Sequence, residues 1–223
     1  MNRPLLVLRP EPGASATVAA ARAIGLAAIA APLFTIRPLD WVPPTGRPQA
    51  ILATSANALR HGGIGIAALI DLPLYAVGAA TAEVARYAGF GRIIVGDGDA
   101  DAILALASSH GVASLLHLAG REHRATARPG IAIERRIVYA ADPLDALPEA
   151  ARAALPGAIA LLHSPRAAAL FARLVDPAGI AIAAISAATL EAAGTGWRAH
   201  ATAERPTDAS LLAVAAKLCD QGL

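Results

Sequence analysis

Short apolar runs alternate along the chain with alanine-rich stretches whose apolar residues recur at helical spacing. The runs LLVL, AILA, LYAV and RIIV have the length of buried strands. Such alternation is typical of parallel strands joined by helices, with the loops that follow the strands gathered at one edge of each sheet. The pattern therefore predicts an α/β fold made of doubly wound, flavodoxin-like parallel sheets, each of about four to five strands.

The sequence also contains a repeat. Three pairs of segments match one another at an offset of roughly 110 residues. Within these pairs Ser55 matches Ser164, and Thr81 matches Thr189. The matching segments are LLVLRP (5–10) with LLHLAG (115–120), AILATSANAL (50–59) with IALLHSPRAA (159–168), and LYAVGAATAEVA (74–85) with IAAISAATLEAA (182–193). The chain is therefore predicted to hold two similar domains.

Two proline-rich segments, residues 41–48 and 141–151, are the candidate linkers. Cutting at both predicts an inserted domain over 41–145 and a discontinuous domain over 1–40 plus 146–223. A duplication whose first part has exchanged into the partner domain would give that arrangement. A tandem division near residue 111 agrees equally well with the repeat.

Composition and charge exclude several classes of protein. Of the 223 residues 56% are hydrophobic, which is too many for a disordered chain. The 19 basic and 17 acidic residues form no run of like charge, and only 4% of residues are aromatic, so nucleic-acid binding is not indicated. The longest uncharged stretch, 102–120, is interrupted by polar residues and predicts no membrane span, and the N-terminus reads as a strand rather than a signal peptide. The single cysteine, Cys219, excludes an internal disulfide and favours a cytoplasmic protein.

Candidate binding residues follow four of the predicted strands. Hydroxyl and amide side chains there can cap the first turn of a helix, and the same backbone N–H groups can bind an anion. Capping alone explains any one loop, whereas four such loops facing each other across a cleft between the two domains would hold a polyanion. The candidates are Thr54, Ser55, Gly78, Thr81, Ser164, Ser186 and Thr189, with Arg9 and Arg166 preferred over Arg60, Arg121 and Arg124 among nearby arginines.

Other candidate sites fail on spacing. Asp97, Asp99 and Asp101 match the start of a calcium loop, but Ala102 and Ser108 stand where glycine and glutamate are required, so the aspartates are predicted to begin a helix. The six histidines have no metal-binding spacing, and no phosphate loop or nucleophile elbow occurs. Tyr139, at the end of an apolar run before a linker, is equally compatible with a core and a functional role.

Taken together, these segments resemble the uroporphyrinogen-III synthase family over essentially the whole chain. The resemblance lies in the order of LVLRPEPG, TSANA, AVGAATAEVARYAGF, the VY before a linker, HSPRA and ISAATLEAAGTGWRAHATAERPTDASLL. It implies two α/β domains with the second inserted into the first. It also implies a cytoplasmic, monomeric, cofactor-free and metal-free cyclase that acts on the linear tetrapyrrole hydroxymethylbilane and has possible transient contact with hydroxymethylbilane synthase.

Specific residues take their expected roles from this resemblance. Tyr139 matches the tyrosine of the family that would assist departure of the hydroxyl, and Ser55, Thr81, Ser164 and Thr189 match hydroxyl positions that line the cleft. Two positions depart from the family pattern, because His163 replaces a threonine and Ser186 replaces a glycine. The alternative prediction is a non-catalytic relative that binds a tetrapyrrole or another anion. An enzyme acting on phosphosugars or nucleotides is disfavoured because no phosphate loop occurs.

Overall fold

A computed structural model describes residues 3–97 and 99–220. Within them, two sheets are surrounded by helices, as the alternation in the sequence predicts. The strands are β1 (Leu5–Val7), β2 (Ala28–Ala30), β3 (Phe34–Pro38), β4 (Ala50–Ala53), β5 (Leu74–Ala76), β6 (Ile93–Val95), β7 (Ser114–Gly120), β8 (Ala132–Pro143), β9 (Ile159–Leu162), β10 (Ala181–Ala184) and β11 (Ala199–Thr202). The helices are α1 (Gly13–Ala23), α2 (Ala56–His61), α3 (Ala79–Tyr87), α4 (Ala100–Ser109), α5 (Glu149–Ala154), α6 (Pro165–Leu174), α7 (Ala187–Ala193) and α8 (Asp208–Asp220), with 3-10 helices at Gly63–Leu69 and Pro177–Gly179.

The chain divides into two compact units. Unit 2 is Ile36–Asp142, and unit 1 consists of the chain before Ile36 together with the chain after Asp142. Unit 1 holds five parallel strands in the order β11-β10-β9-β1-β2. Unit 2 has the order β3-β8-β7-β4-β5-β6, and its pairs from β8 to β6 are parallel. A division near residue 111 would cut through unit 2 between α4 and β7.

The two sheets have the same internal order, which explains the sequence repeat. The order β11-β10-β9-β1-β2 corresponds to β6-β5-β4-β7-β8. The most similar segments form the centre, because β9 and β4 are equivalent and all four residues of each are buried. The units differ between their last two equivalent strands, since α1 connects β1 to β2 whereas the described chain from Arg121 to Ile131 contains no helix. A turn at Pro129 and Gly130, where φ is 84°, leads into β8 instead.

The Pro-rich segment after β3 is packed on unit 2 and does not act as a free linker. The indole Nε1 of Trp41 donates to the Gly62 carbonyl at 2.7 Å, and its ring packs against the aliphatic core of the unit. The first boundary between units lies after Thr35 because β3, which precedes the Pro-rich segment, pairs with β8 in the sheet of unit 2. The second lies after Asp142.

Aliphatic side chains from the strands and alanines from the helices fill both cores. β1 and β9 bury every residue, as expected for strands covered on both faces. Within the described parts of the chain, no helix combines the length and the hydrophobicity that crossing a bilayer requires.

Candidate functional site

A pocket of about 420 Å³ lies at the carboxyl edge of the unit 2 sheet. Because β4, β5 and β7 run in parallel, the loops that follow them meet at this edge. The pocket thus combines three of the predicted residues, Thr54, Ser55 and Tyr139, with side chains from the loop after β7. Its lining residues are Thr54, Ser55, Val77, Asp99, Ala100, Asp101, Gly120, Glu122, His123, Arg124, Ala125, Thr126 and Tyr139.

Thr54 and Ser55 have different local roles in this pocket. Ser55 is the N-cap of α2, and its Oγ accepts a hydrogen bond from the Asn57 amide at 3.2 Å. Thr54 makes a contact that sequence reasoning missed, because its Oγ1 lies 3.0 Å from Nε2 of His117. The two adjacent hydroxyls therefore serve the helix terminus and a buried histidine respectively.

His117 lies in the interior strand β7 and is fully buried. Its Nδ1 lies 3.3 Å from Nε of Arg135 and 3.4 Å from Oγ1 of Thr126. Burial, followed by the charges of Arg135 and His123, lowers the pKa of His117 to about 4. One signal was present in the sequence, because a histidine in the middle of the apolar run LLHLAG needs hydrogen-bond partners.

Tyr139 lies on β8 beside the end of β7. Its ring rests on the backbone of Gly120, where an added methyl group would lie 2.6 Å from Cζ and 2.8 Å from the hydroxyl oxygen. The ring centroid of His61 is 6.3 Å away. Tyr139 is partly exposed and lines the pocket, and within residues 3–97 and 99–220 no hydrogen bond of its hydroxyl is observed.

Gly78 and Thr81 lie where β5 ends and α3 begins. Of this turn, Val77 lines the pocket and Gly78 and Thr81 do not. Gly78 is the N-cap residue of α3, with extended backbone at φ −159°. Thr81 is buried, and its amide donates to the Gly78 carbonyl at 3.1 Å. Sequence reasoning therefore located the turn correctly, whereas the pocket of this unit does not include these two residues.

The pocket carries both signs of charge. Asp99 is the N-cap of α4 and accepts from the Asp101 amide at 3.0 Å, which confirms for these two residues the prediction that the aspartates begin a helix, whereas Asp97 lies before it. The loop after β7 adds Glu122, His123 and Arg124. A carboxylate ligand would therefore be attracted to the Arg124 side of the pocket.

In unit 1, Arg9 after β1 contacts a partner far along the chain. Its Nη1 donates to both carboxylate oxygens of Asp208, at 3.0 and 3.2 Å, and the Arg9 side chain stays 36% exposed. Thr17 on α1 donates a third hydrogen bond to the same carboxylate. His163 is turned inward, because its side chain is 5% exposed and its Nε2 lies 3.3 Å from Asp208 Oδ1. Asp208, which sequence reasoning did not single out, is thus the centre of this cluster.

The surroundings of Asp208 favour its ionised form. Burial by itself would raise the pKa of Asp208, but the contacts with His163, Thr17 and Arg9 outweigh it and lower the pKa to about 2. The ordinary value is 3.8. The ionised Asp208 carboxylate therefore stabilises the folded state at pH values above its ordinary pKa. This contribution is lost as the pH falls through about 2.

We expect Asp208→Asn to lower the free energy of unfolding by about 1–2 kcal/mol near neutral pH, a value reduced for solvent screening of the partly exposed pair. Urea unfolding of wild type and variant, from neutral pH down to about pH 2, should show the difference shrinking as wild-type Asp208 becomes protonated. The exposed Asp145, changed to asparagine, is the control. A difference that does not depend on pH would contradict the stabilising role of the ionised carboxylate.

Of the two remaining turns of unit 1, the first repeats the Ser55 cap of unit 2 and the second has a serine cap where unit 2 has Gly78. Ser164 is the N-cap of α6 and accepts from the Ala167 amide at 3.2 Å. Ser186 is the N-cap of α7, and its Oγ lies 3.3 Å from the Thr189 amide and 3.0 Å from the Thr189 hydroxyl. Thr189 is fully buried, so its hydroxyl serves this turn. Ser186 has extended backbone at φ −158°, close to that of Gly78, so serine in place of glycine creates no strain.

The predicted arginines lie in different surroundings. Arg166, the second residue of α6, lies over the ring of Phe34 at 4.5 Å, a cation–π contact. Arg60 donates to the Asn57 side chain, and Arg121 pairs with Asp142. Of the five arginines considered, Arg124 is the one that lines the pocket of unit 2.

A second, mostly apolar pocket of about 650 Å³ lies between α7 and β11 in unit 1. Its wall includes Trp197, which stacks on Phe171 at 5.7 Å. None of the predicted binding residues lines it. Over residues 3–97 and 99–220 no cluster of three or more His, Cys, Asp or Glu side chains could hold a metal ion.

Comparison with known proteins identifies the family. The sequence model described as uroporphyrinogen-III synthase HemD matches residues 15–213, whereas no curated protein matches the sequence. Among solved structures, the uroporphyrinogen-III synthetase of Helicobacter pylori aligns with a TM-score of 0.67 at 17% identity, over 97% of this chain and 99% of that one. A mutant uroporphyrinogen III synthase of Thermus thermophilus aligns with a TM-score of 0.53 at 16% identity, over 99% and 100%.

At these identities the two structures establish the fold, which confirms the predicted α/β class with parallel sheets. The family match extends over most of the chain and agrees with the resemblance in the sequence. This protein therefore belongs to the uroporphyrinogen-III synthase family, the cyclising lyases of heme biosynthesis.

Proposed function

We propose that this protein cyclises hydroxymethylbilane to uroporphyrinogen III, with loss of water and inversion of ring D, and that Tyr139 is its catalytic residue. The observation that carries the proposal is the position of Tyr139, which lines the same pocket as Thr54 and Ser55 in a chain of this family. A phenol can donate a proton to a leaving hydroxyl and recover one later.

The proposed reaction balances with the substrate and one proton donor. The C–O bond of the hydroxymethyl group breaks with its electron pair on oxygen, and the Tyr139 phenol supplies the proton that completes a water molecule. The electron-poor methylene is attacked by the substituted α-carbon of the ring D pyrrole, which forms a spiro intermediate. The bond from that carbon to its original bridge then breaks, and the bridge carbon bonds instead to the other, unsubstituted α-carbon of the same pyrrole, so ring D is inverted. Loss of a proton from that position to the phenolate restores the pyrrole and Tyr139.

The main task of the protein in this scheme is positioning. An electron-rich pyrrole expels hydroxide readily and the bilane also closes unaided without inversion, so selectivity depends on holding the substrate in the conformation that leads to the inverted product. Its eight carboxylates suit arginines, capping hydroxyls and helix N-termini. The proposed binding residues are Arg9, Thr54, Ser55, Gly78, Thr81, Ser164, Arg166, Ser186 and Thr189.

The structure separates the residues of this set that can contact the substrate from those that hold another residue in place. Thr54 and Ser55 line a pocket, and Arg9 keeps about a third of its side chain exposed beside Asp208. Thr189 is fully buried, so we assign it to holding Ser186. Arg166 would present a guanidinium whose orientation is set by Phe34.

The proposal extends to the whole protein. The family resemblance supports two domains, 1–40 plus 146–223 and 41–145, and a monomer in the cytoplasm that takes its substrate from hydroxymethylbilane synthase, with transient contact between the two. No cofactor is required by the scheme above, because the substrate carries its own leaving group and nucleophile.

A coupled assay tests the function directly. Hydroxymethylbilane synthase would supply the substrate in the presence of the purified protein, and the products would be oxidised and separated into type I and type III isomers. We expect type III to predominate. Type I alone, formed at the rate seen without the protein, would reject catalysis and favour a relative that only binds the tetrapyrrole.

A further inference from the structure

His117 is a buried polar side chain that the scheme above does not use. It lies in the middle of β7, opposite Leu52 on β4, and its exposed fraction is 0%. A buried imidazole is costly unless its nitrogens are hydrogen-bonded. The partners on its two nitrogens therefore determine what it can do.

Arg135 fixes the tautomer of this imidazole. Its Nε lies 3.3 Å from Nδ1 of His117, and a guanidinium can only donate hydrogen bonds. Nδ1 is therefore the acceptor, and the single proton of the neutral ring is on Nε2. Burial and the neighbouring charges of Arg135 and His123 keep the ring neutral, because they lower its pKa to about 4.

The fixed tautomer determines the orientation of the Thr54 hydroxyl. Nε2–H of His117 donates to Thr54 Oγ1, which lies 3.0 Å away. Since the hydroxyl oxygen accepts this bond, its own proton must point away from the imidazole. Thr54 is partly exposed and lines the pocket that contains Tyr139, so a ligand that fills the pocket contacts this residue.

We propose that His117 is a positioning residue that holds Thr54 as a hydrogen-bond donor toward a carboxylate of the bound tetrapyrrole. The inference rests on the proposed function, because it takes hydroxymethylbilane as the ligand of the pocket. The chain of contacts runs from Arg135 through His117 to Thr54, and each link has one possible direction of donation. The substrate contact is made by Thr54, and His117 acts through it.

Nitrogen NMR of protein labelled at histidine tests the proposed tautomer of His117 without any substrate. The signals that disappear in the labelled His117→Gln variant would be assigned to His117. We expect a neutral ring at neutral pH with Nε2 protonated and Nδ1 unprotonated. A ring protonated at Nδ1, or at both nitrogens, would overturn the proposal because Thr54 would then not receive the predicted hydrogen bond.

Kinetics of single and double variants test whether His117 acts on substrate binding through Thr54. Thr54→Val and His117→Leu should each raise KM for hydroxymethylbilane by about tenfold, the value of one hydrogen bond to a charged group, with little change in kcat. The double variant should be no worse than either single one, because both remove the same donor. His117→Gln, whose amide can still donate to Thr54, should stay closer to wild type.

A merely structural role for His117 predicts a different pattern. The loss of activity in His117→Leu would then add to the loss in Thr54→Val and would follow the melting temperature, and KM would not change. Each of these results overturns the proposal. If His117→Leu does not fold, the nitrogen NMR of the wild-type protein and the KM of Thr54→Val still test the proposal. If the wild-type protein makes only the type I product, the proposed function is contradicted. If it makes type III and the effects of Thr54→Val and His117→Leu are additive, this inference alone is contradicted.

Discussion

Replacing Tyr139 with phenylalanine is expected to lower kcat for type III formation by about a hundredfold or more, because a positioned proton donor contributes about that much. Phenylalanine keeps the ring that rests on Gly120, so the pocket should keep its shape. KM should change little, since the phenol acts on the departing hydroxyl in the transition state. The coupled assay with product separation measures both quantities.

The control for this substitution is Tyr87→Phe. Tyr87 lies at the end of α3 in the same unit and is 85% exposed, so loss of its hydroxyl should leave kcat unchanged. Thermal unfolding of both variants would show whether the fold is retained. If Tyr139→Phe turns over as fast as wild type, the phenol does not assist departure of the hydroxyl, and another proton donor must be found.

The features that could be predicted from the sequence depend on local chemistry. Ser55, Ser164 and Ser186 each stand between an apolar run and a helical pattern, and each is observed as an N-cap with a side-chain hydrogen bond. The bond partner is within three residues in every case, so the local sequence contains the information. The repeat also placed these caps at equivalent points of the two sheets.

The features that were missed depend on contacts between distant parts of the chain. His117 and Thr54 are 63 residues apart, and Arg9 and Asp208 are 199 residues apart. Only the sheet order, in which β7 lies next to β4, brings the first pair together. No local pattern distinguishes Asp208 from an ordinary acidic residue in the first turn of a helix, which is also what it is.

The linker prediction was limited for a related reason. Prolines in residues 41–48 indicate a break in regular structure, and the described chain there has no helix or strand. Whether such a segment is free depends on its packing, and Trp41 attaches it to unit 2 through its indole. The proline pattern located this loop, whereas the pairing of the preceding strand β3 with β8 is a long-range contact that no local pattern reveals.

Gly120→Ala is expected to lower kcat by up to about a hundredfold, because a displacement of about 1 Å in a reacting group can cost that much. An added methyl would lie 2.6 Å from Cζ of Tyr139 and 3.0 Å from Cε1, so the ring has to move away from the end of β7. The effect should act through the phenol, and the double variant with Tyr139→Phe should be no slower than Tyr139→Phe alone. Gly91→Ala is the matched control, since nothing lies within 4 Å of a methyl group there. Full activity in Gly120→Ala, with the melting temperature unchanged, would show that the position of the Tyr139 ring does not limit the reaction.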